Sequence, residues 1–259
     1  MIKSVYMLHS ADLPNELPEF ERWYLRYHAA EVLSKDGPLL VRFIGYRPLP
    51  VIPEAMAYGY YNMRVTEIWF RGLEERPPII SSGKLASILD FTWQAPWAKK
   101  PVQWQEVKPG GMPRVLLVVN TPPTDVFLGG KYNADEKTII RWYTVTKYPQ
   151  GVSLQEGEDW FLNVHSKEVM QQPGLIAYFS TRTIDIPGRP ANWIRLTELW
   201  YENFRGWKKS VINSPPKYTK PPWAKYDKYP FLEPYVDFVS TFLMERPEHD
   251  YLREAAPYP

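Results

Sequence analysis

A chain of 259 residues with a formal net charge of +2 has room for one large domain or two of ordinary size, and it projects no field that would gather nucleic acid or an anionic membrane. The absence of cysteine excludes disulfides, thiolate metal sites, iron–sulfur clusters and cysteine nucleophiles together. The unusual feature is aromatic: 11 Trp, 18 Tyr and 11 Phe, enough to fill a core and also to wall a pocket for flat apolar ligands.

In chain order, residues 5–9 read as a strand. A helix follows over residues 18–34, opened by Pro18 with Glu19 and Glu21 in its first turn, at the positive end of the helix dipole. Gly37 lies just past its end, where a left-handed residue often terminates a helix. Strands are predicted at 39–46 and 60–70, a short helix at 83–90 and a fourth strand at 113–120. Residues 121–137, with paired prolines and glycines, read as a linker.

The order then repeats: strand 139–146, helix 155–171, Gly174, strands 175–183 and 193–201, a short helix near 204–212 and a strand within 234–243. Four matched blocks carry the repeat. Trp23, Leu25, His28, Glu31 and Val32 recur as Trp160, Leu162, His165, Glu168 and Val169, an offset of 137 residues. Gly37 recurs as Gly174. The run Thr66-Glu67-Ile68-Trp69-Phe70 recurs as Thr197-Glu198-Leu199-Trp200-Tyr201, and Pro96-Trp97-Ala98-Lys99 recurs letter for letter as Pro222-Trp223-Ala224-Lys225. The order β-α-β-β-α-β is that of the ferredoxin-like split βαβ unit. The expected fold is α+β: two tandem ferredoxin-like units, residues 1–120 and 138–259, packed sheet to sheet as a pseudo-dimeric α+β barrel, the second ending in a Pro-rich tail.

The helix pattern of an aromatic, a His five residues on and a Gly-apolar strand beyond (Trp23, His28, Gly37; Trp160, His165, Gly174) resembles the EthD-like group of the dimeric α+β barrel superfamily. The resemblance implies a fused dimer with a pocket between sheet and helices. It also implies a choice among cofactor-independent cyclases and monooxygenases, muconolactone-isomerase-like enzymes and haem proteins of the chlorite dismutase type.

Four histidines are present: His9, His28, His165 and His249. At 100° per residue, His28 flanks the stripe of Phe20, Trp23, Tyr24 and Tyr27, and His165 sits likewise beside Trp160, Phe161 and Val164. Glu31 and Glu168 follow at i+3, within reach of a ring N–H. A carboxylate-held imidazole in an aromatic pocket suits a general base with a pKa near working pH. The competing reading has each His bonding a backbone carbonyl and anchoring its helix, and retention in both copies favours that scaffold role.

Positions where the copies differ therefore carry weight. His9, matched by Thr146, shares a strand face with Val5 and Met7 and is expected at a pocket mouth. Arg42, facing Tyr178 or Phe179 in the other copy, could clamp an oxyanion or pair with Glu67 or Glu198. Tyr6 and Tyr143 match at the offset as phenolic donors or core, and Trp69 and Trp200 are expected to shape the pocket. Alternation points Glu67 and Glu198 at solvent, and His249 reads as a surface residue of the tail.

No His-x-His, His-Glu-x-x-His, Gly-x-Gly-x-x-Gly, Walker or Gly-x-Ser-x-Gly pattern occurs, so neither metal nor nucleotide cofactor is expected. No apolar run approaches the roughly 20 residues of a membrane helix, and the first residues have no signal-peptide pattern. The expected protein is cytoplasmic, with no nucleic-acid or membrane partner and a possible homodimer of the fused pair. The leading expectation is a cofactor-independent isomerase, lyase, cyclase or decarboxylase acting on a small aromatic or apolar carbonyl or phenolic compound. His28 or His165 would be the base. The alternatives are a binding protein for aromatic metabolites and a haem protein of the same fold.

Overall fold

The apolar run at the start of the chain extends further than its alternation suggested: β1 is Ile2–His9, buried along its whole length. The computed structural model describes residues 1–9, 14–50, 52–73, 115–129, 138–185, 191–244 and 246–251. The predicted helix at 83–90 and the block 96–99 lie outside the described residues.

Helix α1 is continuous, built from Leu17–Trp23, a π-helical turn Tyr24–His28 and Ala29–Asp36. Strands β2 (Arg42–Tyr46), β3 (Met63–Phe70) and β4 (Val115–Asn120) follow. The second unit repeats this with β6 (Ile140–Thr146) and α2, which runs Leu154–Trp160, π-helical Phe161–His165 and Ser166–Val169. Strands β7 (Leu175–Arg182) and β8 (Arg195–Tyr201), helix α3 (Phe204–Lys208 and π-helical Lys209–Asn213) and β9 (Phe238–Met244) complete it. Ser153 caps α2 by accepting the Glu156 N–H at 3.2 Å, the first half of a capping box.

The four strands of each unit run antiparallel, in the orders β2-β3-β1-β4 and β7-β8-β6-β9. The fold is α+β: two ferredoxin-like units, packed sheet to sheet in the manner of a dimeric α+β barrel. Each sheet also gains a fifth strand from beyond its own unit. β5 (Asp125–Leu128), inside the stretch expected to be a bare linker, pairs with β7. β10 (His249–Tyr251), in the expected tail, pairs with β2 of the first sheet. The stretch between the units and the tail thus each supply an edge strand, and His249 is a strand residue rather than a surface one.

The sheets meet through Val5, Met7, Ile44 and Val65 on one side and Tyr143, Val145, Leu196 and Val239 on the other. The outer face of the first sheet packs Tyr6, Leu8 and Phe43 against Phe20, Trp23, Tyr24 and Val32 of α1. In the second, Trp142, Tyr178 and Leu199 pack against Trp160, Phe161 and Val169 of α2 and Trp207 and Val211 of α3.

Register corrects the repeat. Leu8 lies opposite Arg64 in one unit, and Thr146 lies opposite Arg195 in the other. The equivalent of Tyr6 is therefore Thr144, Tyr143 is the equivalent of Val5, and Lys147 rather than Thr146 stands where His9 does. The first strands align one residue away from the helix offset, and in a strand one residue changes the face. The glycines after the helices also differ from expectation. Gly37 keeps a right-handed φ of −45°. Gly174 is small because a Cβ there would come within 2.8 Å of the Gly206 carbonyl oxygen and of Ser210 Oγ on α3.

A buried arginine ties each unit together. Arg195 donates two bonds of 2.8 Å to Glu158 of α2 and one of 2.7 Å to Asp125 of β5, with its guanidinium 4.4 Å from the Phe161 ring centre. Arg64, fully buried, binds Glu21 of α1 at 2.8 Å and Glu248 beside β10, and lies 3.8 Å from the centre of the Tyr24 ring. Removing one partner of such a set leaves buried charge uncompensated. Arg195→Met is expected to cost about 3 kcal/mol, and Arg195→Met with Glu158→Leu less than the single change. Urea unfolding midpoints of the two variants check this.

Candidate functional site between helix and sheet in the second unit

Both motif histidines close a π-helical turn, His28 in Tyr24–His28 and His165 in Phe161–His165. In a regular α-helix, residues five apart point about 140° away from each other. The wider turn, with the Ala29 N–H donating to the Tyr24 carbonyl and Ser166 N–H to that of Phe161, brings them together. The Trp23 and His28 rings accordingly stack at 4.7 Å, and Trp160 and His165 lie at the same separation. A helical wheel cannot show this contact, which explains why a Trp and a His keep this spacing in both copies. Such turns frequently occur at functional sites.

The two surroundings differ. In the first unit Tyr24 bonds Thr66 at 2.6 Å, and Tyr6 and Leu8 fill the sheet face beneath α1. In the second unit a cavity of ≈ 20 Å³ remains beneath α2, with His165, Trp142, Thr144, Thr146, Tyr178 and Tyr229 among its walls. That is room for about one water. Three buried polar atoms of these walls, Trp142 Nε1, Thr146 Oγ1 and Tyr178 Oη, have no hydrogen-bond partner in the protein. The Pro-rich segment after α3 covers the cavity: Tyr229 stacks on His165 at 5.7 Å and 12° and on Tyr218 at 4.0 Å.

The expected carboxylate support for His165 is replaced by another contact. Glu168 accepts from the Thr219 N–H at 2.9 Å and its hydroxyl at 2.5 Å, so it anchors the covering segment. Glu31 lies on α1 within Ala29–Asp36, and its side chain is outside the described residues. The expectation of a pKa near working pH also fails. Burial lowers His165 to about 3, and burial together with the Arg64 cation lowers His28 to about 3. Both are neutral imidazoles at neutral pH. With its ring packed among Trp160, Phe161 and Tyr229 beside so small a space, His165 does not fit a haem ligand.

The other predicted residues fall into separate compartments. Tyr6, Tyr24 and His28 lie in the layer between α1 and the first sheet, while Phe161 and His165 lie in the layer beneath α2. His9, stacked on Tyr61 at 4.7 Å, lies at the end of β1 on the face shared with Val5 and Met7, away from His28. Arg42 binds Asp250 of the edge strand β10, its Nε 2.9 Å from Oδ1, rather than Glu67 or Glu198.

Tyr143, Trp69 and Trp200 border a polar cluster between the sheets. Here Glu67 and Glu198, expected at solvent, are 3% and 7% exposed and meet Lys3 and Arg141. Arg141 lies 2.7 Å from Glu198 and 3.9 Å from Glu67, which is 3.6 Å from Lys3. The indoles of Trp69 and Trp200 each donate to the neighbouring glutamate at 3.3 Å. Burial would raise Glu198, but the Arg141 and Lys3 cations, with hydrogen bonds from Arg141 and Trp200, together outweigh it and hold the carboxyl below its usual range. Two acids and two bases cancel, so the cluster is internally neutral. Among the described residues, no group of three or more His, Asp or Glu could hold a metal ion, and no helix is long and apolar enough to cross a membrane.

Comparison with known proteins gives a fold and a partial family match. Residues 1–87 match the chalcone isomerase N-terminal domain family. The whole chain aligns with 96% of an anthrone oxidase-like protein at 11% identity and a TM-score of 0.50. A protein from Lactobacillus acidophilus NCFM assigned as a monooxygenase aligns over 96% of this chain and 94% of its own at 13% identity, with a TM-score of 0.37. One from Fusobacterium nucleatum with the same assignment aligns over 96% of each chain at 10% identity, with a TM-score of 0.39. No curated protein matches the chain.

The buried histidines make a pH prediction. Unfolded, each imidazole binds a proton below about pH 6.5; folded, each stays neutral down to about 3. The unfolded state therefore binds more protons between those limits, and stability falls as pH drops from about 6.5 toward 3. His165→Gln is expected to reduce that slope by close to one proton, as read from urea unfolding across this range.

Proposed function

We propose that the protein is a cofactor-independent enzyme of the isomerase or cyclase type, acting on a small phenolic or carbonyl aromatic compound in the pocket beneath α2. The observation that carries the reading is the neutral His165, held at the end of a π-helical turn beside a cavity lined by Trp142 and Tyr178, whose Nε1 and Oη are buried without a hydrogen-bond partner in the protein. A neutral imidazole can accept a proton from a phenol or from carbon next to a carbonyl, leaving the electron pair on the substrate oxygen. The indole N–H and phenol O–H are donors suited to that oxyanion.

The low basicity of His165 favours some reactions over others. An imidazolium formed in so apolar a pocket is a strong acid and returns its proton quickly. That suits moving a proton within one substrate, as in isomerisation or ring closure. The names of the similar proteins, chalcone isomerase and anthrone oxidase-like, both concern aromatic ketone chemistry and agree with this class. On this reading, His28 and its surroundings serve as scaffold, and the fused units arose by duplication of one.

A binding protein for aromatic compounds is the second reading, favoured by the closed cover of Tyr229 and Tyr218. Exchange of the C10 methylene protons of anthrone for deuterium, followed by NMR together with product formation, separates the two. Catalysed exchange is expected, and His165→Gln should lower it about 100-fold or more with the fold intact. Saturable binding without exchange would establish the binding protein instead.

A further inference from the structure

We infer that Thr144 and Thr146 are the size-determining residues of the second-unit pocket, and that the space they leave takes a planar ring compound bearing a hydroxyl or carbonyl oxygen. This rests on the reading of that pocket as a ligand site. The two units supply the comparison. At matched register and on the same face, the first unit has Tyr6 and Leu8 where the second has Thr144 and Thr146. Tyr6 and Leu8 are buried in the core beneath α1. In the second unit a ring and an isobutyl group have become two short side chains, and the cavity opens where they stand.

The bulk has moved rather than vanished. Ser4 of the first unit corresponds to Trp142 of the second, by the pairings Ser4–Ile68 and Trp142–Leu199. The strand thus gains an indole at one end and clears the next two positions on the same face. Core packing alone would not favour this arrangement. A dry apolar gap forfeits contacts, and Thr146 Oγ1, Trp142 Nε1 and Tyr178 Oη are buried there without protein partners. Their polarity calls for an oxygen-bearing occupant, and the aromatic walls Trp160, Phe161 and Tyr229 for a flat one. A ring exceeds the present cavity, so its binding requires displacement of Tyr229, which belongs to the cover.

The test uses the full chain and 1-naphthol as probe, titrated by calorimetry. Thr144→Tyr and Thr146→Leu, which restore the first unit's residues, are each expected to weaken binding at least about tenfold, the scale of a steric change in an apolar pocket. Thr146→Val keeps the shape without the hydroxyl; it should weaken 1-naphthol about threefold or more and leave naphthalene unchanged. Unchanged melting temperatures establish that the bulky variants fold.

If both bulky variants bind 1-naphthol as tightly as the unaltered chain, the inference is overturned while the pocket reading stands. If the unaltered chain binds no naphthol at any concentration, the pocket reading falls and this inference falls with it.

Discussion

Two buried guanidinium groups hold the architecture. A cation inside a protein must be met by anions at close range, and Arg64 and Arg195 each meet one acid from their own first helix and one from a strand or strand flank contributed across the unit boundary. The helix is thereby fixed against the sheet in its second turn, two residues before Trp23 in α1 and two before Trp160 in α2. The orientation of the π-helical turn, and so of its histidine, follows from that attachment. The guanidinium planes over Tyr24 and Phe161 add a second constraint on the same turn.

The sheets then divide the molecule into three compartments. Between them lies a mostly apolar layer with a neutral cluster of Lys3, Glu67, Arg141 and Glu198 at one side. Outside each lies a helix-covered layer with one buried imidazole. The middle compartment has its charges matched to one another, and the first outer layer is filled by Tyr6 and Leu8. The second outer layer keeps a small space and unpartnered polar atoms, which concentrates its chemical interest near His165.

Much of this was legible in the sequence. Strands, first helices and the ferredoxin-like order follow from apolar patterning, and the repeat supplied both units at once. What escaped has physical reasons. β5 and β10 are too short for alternation to signal a strand, and their pairing depends on an edge supplied by distant chain. The stacking of Trp23 on His28 requires a π-helical turn that a wheel of 3.6 residues does not contain. Tyr6 and Tyr143 were matched because the helix offset was carried into the strand, where one residue reverses the face. The contrast of Tyr6 and Leu8 with Thr144 and Thr146 was present in the letters, but it becomes a cavity only once register puts those side chains in equivalent places. The Ser153 cap, and the repeated Glu21 and Glu158, were also readable; only the arginines that the glutamates meet lie too far along the chain to be paired by eye.

The added edges give the chain an order of completion. Synthesis proceeds from the first residue, so the first unit emerges early yet waits for β10, among the last described residues, to finish its outer edge. The second unit receives β5 before its own first strand exists. The first half cannot be finished as an independent body in the order it is made, and a cut just after β5 would leave each half with an open edge and an arginine short of one acid. The two units are committed to each other by chain path as well as by contact.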